Sequence, residues 1–492
     1  MIRRADVAVL GGGFGGCLMA LILKALGRSV VLLERGRHPR FAIGESSTPL
    51  ANLLLADLAR RYRLTWLLPF CKYGTWIEAY PAVNVGPKRG FSFFKHYPFR
   101  EFSTNSDHAC ELLVAANPSR AQADTHWFRE HFDHFLYQQV LAADVPAMDQ
   151  AQICLRRDRG WQIQVRRGDE EHVWAADFVI DATGTGAALA ETLGLRPQND
   201  LLTAAWSVYG HFVEVVPWSE VLHSLGVDTS DYPFPSHEAA LHHLLDEGWM
   251  WVLPFRNGIT SAGVMFDCSR VGPQDADPRT TWEKTLGRYP SLRRQFCSAQ
   301  AVRPLVQTGR LQRRIELASG AGWAMLPHTV YFVDPLFSTG IAHTLLCIHR
   351  LSQIFSECAS LPPASALADY NYLLQQELCF VDRLVRLCYR AFGCFADFVA
   401  VAVIYFAGAI HSERAFGSDG RLAHGFLAAA HPCIHRALAL AEAHIGSGCP
   451  IGGALLEKRT SAASLLTGVA DAIAPINTAK LADPLRRNMY PY

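Results

Sequence analysis

Over residues 1–35 the apolar positions form three blocks with different periods. Val7 to Leu10 are apolar without a break, as in a strand buried on both faces. A glycine-rich turn follows, then a helical pattern to about Leu26 closed by Gly27, then a second apolar strand, Val30 to Leu33, ending in Glu34. This is a β-α-β unit. Gly11, Gly13 and Gly16 space its turn as G-x-G-x-x-G, which permits a tight bend, close backbone approach to a pyrophosphate and tight helix–strand packing. The helix N-terminus offers partial positive charge to phosphates. Glu34, about twenty residues on, is placed to accept hydrogen bonds from ribose hydroxyls. The unit predicts a dinucleotide site.

Two later segments repeat the strand-then-turn pattern. Residues 177–186, DFVIDATGTG, read as an apolar strand ending in A-T-G, preceded by a hairpin-like stretch, ICLRRDRGWQIQVRR. Residues 330–345, VYFVDPLFSTGIAHTL, read as a strand, Asp334-Pro335, a Ser-Thr-Gly turn and a helix. With the polar loop RFAIGESSTP behind the second strand, these are similar to the later FAD fingerprints of glutathione-reductase-like and hydroxybenzoate-hydroxylase-like flavoproteins. They choose FAD over NAD. The resemblance implies that Asp334 binds the ribitol chain and that the following helix points its N-terminus at the flavin.

Between those segments the period becomes two. WSVYGHFVEVV, MWVLPF and ITSAGVMF read as strands of one sheet, and Trp249 and Trp251 in EGWMWVLPF share a face. From about residue 359 the pattern is helical. The expected fold is α/β: a Rossmann-like FAD domain of the two flavoprotein types above, an inserted β-sheet substrate region and a helical carboxy-terminal region. The FAD domain is expected at 1–95, 120–190 and 305–358, with 96–119 a connection, 191–304 the sheet region and 359–492 the helices. The apolar run Phe395 to Ile410 is shorter than a membrane span and contains Asp397, so a buried core helix is expected and no membrane contact.

Composition narrows the class. The 492 residues are too many for one core. Half are hydrophobic and 18% charged, which fits a packed globular enzyme. Lys plus Arg (46) nearly balance Asp plus Glu (45), so no basic field argues for nucleic acid. Thirteen scattered cysteines without C-x-x-C favour a reducing compartment, and a cytoplasmic protein is expected. The basic start runs into the glycine loop rather than a cleavage site, which argues against a signal peptide. His131 and His134 lie at i, i+3, near His126, without a well-spaced third ligand, and no metal is expected. GSGCPIGG, residues 446–453, lacks the Lys-Ser/Thr of a P-loop.

Several stretches together resemble the flavin-dependent halogenases, closer to their phenol-acting branch. GESSTP, Gly44 to Pro49, is similar to the family's loop beside the flavin. PKRGFSF resembles the K-x-G-x-x-F element that carries the catalytic lysine, and WMWVLP matches W-x-W-x-I-P with leucine for isoleucine. DPLFSTG resembles D-P-x-x-S-x-G, and REHFDHFL the R-x-x-F-D-x-x-L helix. IYFAGAIHSE resembles a helix of the phenol-acting branch. Alone, Lys88 is an ordinary surface charge; its motif and companions make it the candidate. Lys72, in CKYGTW, is the rival, without the matching phenylalanine.

The resemblance implies that a separate reductase delivers FADH2, which reacts with O2 to give a C4a-hydroperoxide. Chloride or bromide is oxidised to hypohalous acid, and Lys88 passes the halogen to an aromatic substrate, as a hydrogen-bond donor or as a haloamine. It places Gly11, Gly13, Phe14, Gly16, Glu34, Arg40, Gly44, Glu45, Ser46, Asp334, Gly340 and Ile341 at FAD. Ser338, Thr339 and Gly340 are placed at the halide, and Trp249 and Trp251 as a shield keeping substrate from the flavin. Tryptophan halogenases carry glutamate where this chain has Phe337, which argues for a phenol or pyrrole, first a free small phenol. A homodimer is possible. An aromatic monooxygenase of the same fold, which needs neither Lys88 nor the tryptophan pair, and a prenyl-type reductase, which would reduce an alkene and ignore O2, are the alternatives.

Overall fold

The computed structural model describes residues 2–274, 276–446 and 455–492. Its first sheet is the expected Rossmann-like one. Ile2–Leu10 pairs in parallel with Val30–Leu33 on one side and Glu170–Asp181 on the other, and Glu170–Asp181 pairs in parallel with Trp323–Met325. The registers put Leu33, Leu10, Asp181 and Met325 in one row at the carboxyl ends of the four strands. Ligands of doubly wound sheets bind beyond such a row. The hairpin read from the sequence is present as Gln152–Arg157 with Trp161–Arg167. Helix Phe14–Ala25 is buried from Phe14 to Leu23. It can sit so close because Gly16 has no side chain: a Cβ there would lie 1.9 Å from the Gly11 carbonyl oxygen.

The second sheet runs in the order Gln300–Ala301, Ala205–Val213, Thr260–Asp267, Gly248–Pro254, Ala240–Leu244, Gly90–Lys95, Glu111–Ala115, Met489–Tyr490. Trp249, Trp251 and Leu253 project into the large core shared with the FAD domain and helices, while Met250 and Val252 enter a separate core on the other face. Phe91 and Phe93 divide from Phe94 in the same way. The alternation is real, and both faces are buried.

This sheet moves two expected boundaries. Gly90–Lys95 and Glu111–Ala115 belong to it, so the first FAD segment ends near residue 88 rather than 95, and 96–119 is more than a connection. The phenylalanines of GFSFF supply apolar side chains to both faces, which a central strand needs. The carboxy-terminal region is helical except at its end, where Met489–Tyr490 pairs with Leu113–Val114. Its helices are Ala364–Ala391, Phe395–Asp419, Pro432–Gly446 and Leu455–Ile473. Phe395–Asp419 is long and apolar enough to cross a membrane, yet 83% of its apolar window is buried inside the protein. Residues 447–453 of the glycine-rich stretch lie outside the described residues.

Candidate active site

The nucleotide cradle is built where the parallel strands end. Gly11 holds φ +98 in the turn, and a Cβ there would lie 2.5 Å from the Ala182 oxygen. Gly13 is the N-cap of the first helix and offers no side-chain cap, so the helix's first N–H groups are not capped by a side chain at that position. Glu34 receives the N–H groups of Gly12 and Gly36, each at 2.6 Å, and Arg40 lies 3.4 Å from its carboxylate. Arg129 clamps Asp133 with bonds of 2.7 and 2.8 Å and donates to the Ile43 and Gly44 carbonyls, fixing the GESSTP loop beside the cradle. Its guanidinium also covers the Phe14 ring.

The fit to FAD rests on what these residues leave open. Both ring nitrogens of His38, Nε of Arg40, Oε2 of Glu45 and Oγ of Ser46 are buried without a hydrogen-bond partner. Such groups are costly unless a bound molecule or water satisfies them. At the far side, Ser338 takes φ +53, its N–H bonded to the Pro335 carbonyl at 2.9 Å, and starts helix Thr339–Ser356. The first N–H groups of a helix, here Thr339, Gly340 and Ile341, lack partners within it. In front of Gly340 nothing lies within 4 Å of a would-be Cβ. A second unobstructed helix N-terminus thus accompanies the glycine loop, and the residues present fit the cofactor.

Lys88 ends strand Val85–Lys88, opposite Asp124 in strand Asp124–Trp127. The same short ladder holds the GESSTP loop, because Ser47 exchanges hydrogen bonds with Thr125 and Ser46 bridges to His126. Lys88 is fully buried, and its Nζ donates to the Ser47 carbonyl at 2.6 Å. Burial lowers its pKa to about 7, against the opposing charges of Asp124 and Glu413. Gly86, two residues earlier, makes room for the end of the tryptophan strand: a Cβ would lie 2.1 Å from the Pro254 oxygen. The lysine and tryptophan motifs therefore touch through backbone.

Lys72, the rival lysine, caps helix Tyr73–Ala79 with its side chain 40% exposed. It binds Asn117 at 2.9 Å and lies 3.6 Å from Asp124, whose carboxylate also takes Asn52 Nδ2 at 2.6 Å. Both lysines feel the charge of one buried acid, but Lys72 is partly exposed and bonded to Asn117, whereas Lys88 is buried and bonded to the Ser47 carbonyl. Of the three histidines, His126 meets the Ala239 carbonyl, His131 accepts the Asn84 N–H, and His134 stacks toward His38; they do not converge on one point.

Trp249 and Trp251 lie side by side, ring centroids 6.0 Å apart. Trp251 donates to Ser261 and covers Gly263, where a Cβ would lie 2.3 Å from its ring. Trp249 donates to the Tyr389 hydroxyl, which donates to Asp334 Oδ2 at 2.6 Å, while Leu336 N–H binds Oδ1. Both carboxyl oxygens of Asp334 are thus engaged within the protein, and burial raises its pKa to about 7. Phe337 stacks on Tyr405 at 4.2 Å in an aromatic group with Phe93 and Phe406.

Beside this group opens a cavity of about 810 Å³, walled by Phe91, Tyr405, Phe406, Lys72, Asn117 and Glu413 among others. Its volume suits a small organic molecule. Arg60, Arg414, Lys480 and Arg486 also line it, so cations outnumber its single acid. Burial and the charge of Asp124 raise Glu413 to about 8, with Lys72 and Lys88 opposing. Sequence reading singled out neither Glu413, Asp124 nor Tyr389. A signal existed for Glu413: it stands at i+7 and i+4 from Phe406 and Ala409, an acid on an apolar helix face.

Comparison with known proteins converges with this geometry. The family model described as tryptophan halogenase matches residues 96–392, more than half of the chain. The monodechloroaminopyrrolnitrin halogenase PrnC of Pseudomonas fluorescens is 29% identical over 417 residues, covering 82% of this chain and 71% of that protein. The tetracycline 7-halogenase of Kitasatospora aureofaciens is 29% identical over 362 residues, covering 71% of this chain but 63% of its own length. Among solved structures, the halogenase PltM in complex with phloroglucinol and FAD superposes with a TM-score of 0.87 at 22% identity, over 99% of each chain. With its FAD cradle and this match, the chain belongs to the tryptophan halogenase family of FAD-dependent halogenases.

Proposed function

We propose that this chain halogenates a small, free phenolic compound, with Lys88 delivering the halogen and Glu413 taking the phenol proton. The observation that carries the proposal is the place of Lys88. One side of its amine holds the Ser47 carbonyl of the loop beside the cofactor cradle, and the other meets Phe91, which walls the 810 Å³ cavity. The lysine thus contacts both the loop beside the cradle and a ring that walls the cavity, the two sites that halogen transfer would connect.

Reduced FAD with O2, the flavin delivered by a separate reductase, supplies the equivalents that turn chloride or bromide into hypohalous acid. The residues of the chain do the rest. Gly11, Gly13, Phe14, Gly16, Glu34, Arg40, Gly44, Glu45 and Ser46 would hold the nucleotide and the near side of the cofactor. Ser338, Thr339 and Gly340, with Ile341 behind them, would present N–H groups to a halide at the second helix N-terminus. Trp249 and Trp251 fill the interior beside that turn and keep organic substrate out of it. With a pKa near 7, Lys88 is substantially an uncharged amine at neutral pH. Its Nζ takes the halogen from hypohalous acid with loss of water, then yields it to the ring carbon and recovers a proton. In its carboxylate form, which predominates above about pH 8, Glu413 accepts the hydroxyl proton of the phenol, so the ring attacks as the more electron-rich phenolate. Arg60, Arg414 and Arg486 favour the resulting negative charge. Phe337, in place of an acid, stacks on Tyr405 behind the cavity wall and keeps its backing apolar.

The test is direct. Reduced FAD, O2 and bromide are supplied with a panel of phenols, pyrroles and indoles, and mass shifts are compared between wild type and Lys88→Ala. Brominated phenols lost in Lys88→Ala support the reading. Hydroxylation without halide dependence overturns it, and so does bromination that survives Lys88→Ala.

A further inference from the structure

The loop that follows helix Phe395–Asp419 folds back onto that helix and is pinned there. Gly408 makes the approach possible, since a Cβ at that position would lie 2.4 Å from the Leu427 oxygen. Leu427 and Ala428 both take positive φ, +55 and +53. Between the loop and the FAD domain, Phe426 stacks on His343 at 4.6 Å and its N–H donates to Glu377 at 2.7 Å. A backbone held this firmly presents its side chains in fixed directions.

Three of those side chains are imidazoles that meet. His411 comes from the helix, His424 from the loop and His431 from the residue preceding helix Pro432–Gly446. One nitrogen from each lies within 4.8 Å of the others. The ring centroids are 4.6, 5.1 and 6.1 Å apart, with interplanar angles of 76°, 65° and 41°. His411 and His424 also wall a small cavity of about 170 Å³.

We propose that His411, His424 and His431 form a three-histidine site for a divalent cation of the zinc type, with water completing a tetrahedron. Zn–N bonds of roughly 2.0–2.1 Å at tetrahedral angles place nitrogens about 3.4 Å apart and ring centroids roughly 5 Å apart. The observed centroid separations bracket that value, and the rings are tilted about a common point rather than stacked. An all-imidazole set suits zinc, copper or nickel and not the hard cations magnesium or calcium. The Cys433 N–H donates to His431 Nδ1 at 3.2 Å, so that nitrogen already presents its lone pair; coordination through it would replace one long hydrogen bond. A metal here would staple the loop to the helix whose Tyr405, Phe406 and Glu413 wall the substrate cavity.

The experiment uses the full chain, free of any histidine tag and stripped with chelator, then titrated with Co2+ and Zn2+. The expected result is one equivalent bound, visible absorption bands of four-coordinate Co2+, and a raised melting temperature with Zn2+. His424 is exposed, so His424→Ala should fold, and should weaken binding by at least about tenfold. His424→Cys, which restores a zinc ligand, should keep binding and shift the Co2+ spectrum toward sulfur ligation. No binding at micromolar free metal overturns the site, as does binding unchanged in His424→Ala.

Discussion

The amine of Lys88 rests on the face of Phe91, 3.9 Å from the ring centroid, while donating to the Ser47 carbonyl. A cation over an aromatic face is favoured and an amine in a dry interior is not, and burial is the larger effect here, with the pKa falling to about 7. Product formation should therefore rise as pH crosses 7, where the amine loses its proton, and on through about 8, where Glu413 becomes a carboxylate, and level off above. Lys88→Ala should lose product by about 10²-fold or more while reduced flavin is still oxidised by O2. Lys88→Arg, always protonated, should not restore it. Product and flavin oxidation measured in parallel across pH check all three.

Glu413 predicts a second limb. If it accepts the phenol proton, Glu413→Gln should lower kcat by about 10²-fold or more for phenols that are protonated at the assay pH. Phenols acidic enough to be ionised beforehand should lose much less. A series of ring-substituted phenols separates the two classes, and an equal loss across the series would remove Glu413 from this role.

Asp334 gives a stability prediction. Its folded value, about 7, lies above that of an unfolded aspartate, about 3.9. The folded state therefore holds a proton that the unfolded state releases. The stabilisation is complete below the unfolded value and is lost as pH rises through about 7. Asparagine keeps the shape and an acceptor for Tyr389 without the charge. Asp334→Asn should flatten the loss of stability that wild type shows from pH 6 to 9, read by denaturant unfolding.

Gly263 is needed by Trp251. An added methyl would meet the indole at 2.3 Å, so Gly263→Ala should cost about 1–3 kcal/mol. Trp251→Phe, which withdraws the far ring, should restore part of that loss in the double variant. Additive effects in the double-mutant cycle would deny the contact.

The local signals that were legible in the chain are those with short-range causes. The G-x-G-x-x-G turn, the buried strands around it and the period-two tryptophan strand follow from backbone sterics and alternating burial, which neighbouring residues fix among themselves. The motif around Lys88 was legible only through its resemblance to the halogenases, whereas the helix beginning at Thr339 could be read from its own pattern. What no local pattern carries is which distant residues meet. Asp124 joins Lys72, Asn52 and the Lys88 strand through a two-stranded ladder. Trp249, Tyr389 and Asp334 form their hydrogen-bonded chain across three elements. Strand 90–95 looks like part of the first domain, and strand 111–115 like part of a connection, until the second sheet takes them in. The sequence by itself determined the cofactor cradle and the strands and helices around it. Only the tertiary structure decided the side chains' partners, burial and proton affinities, because those depend on groups brought together across hundreds of residues and on the water they exclude.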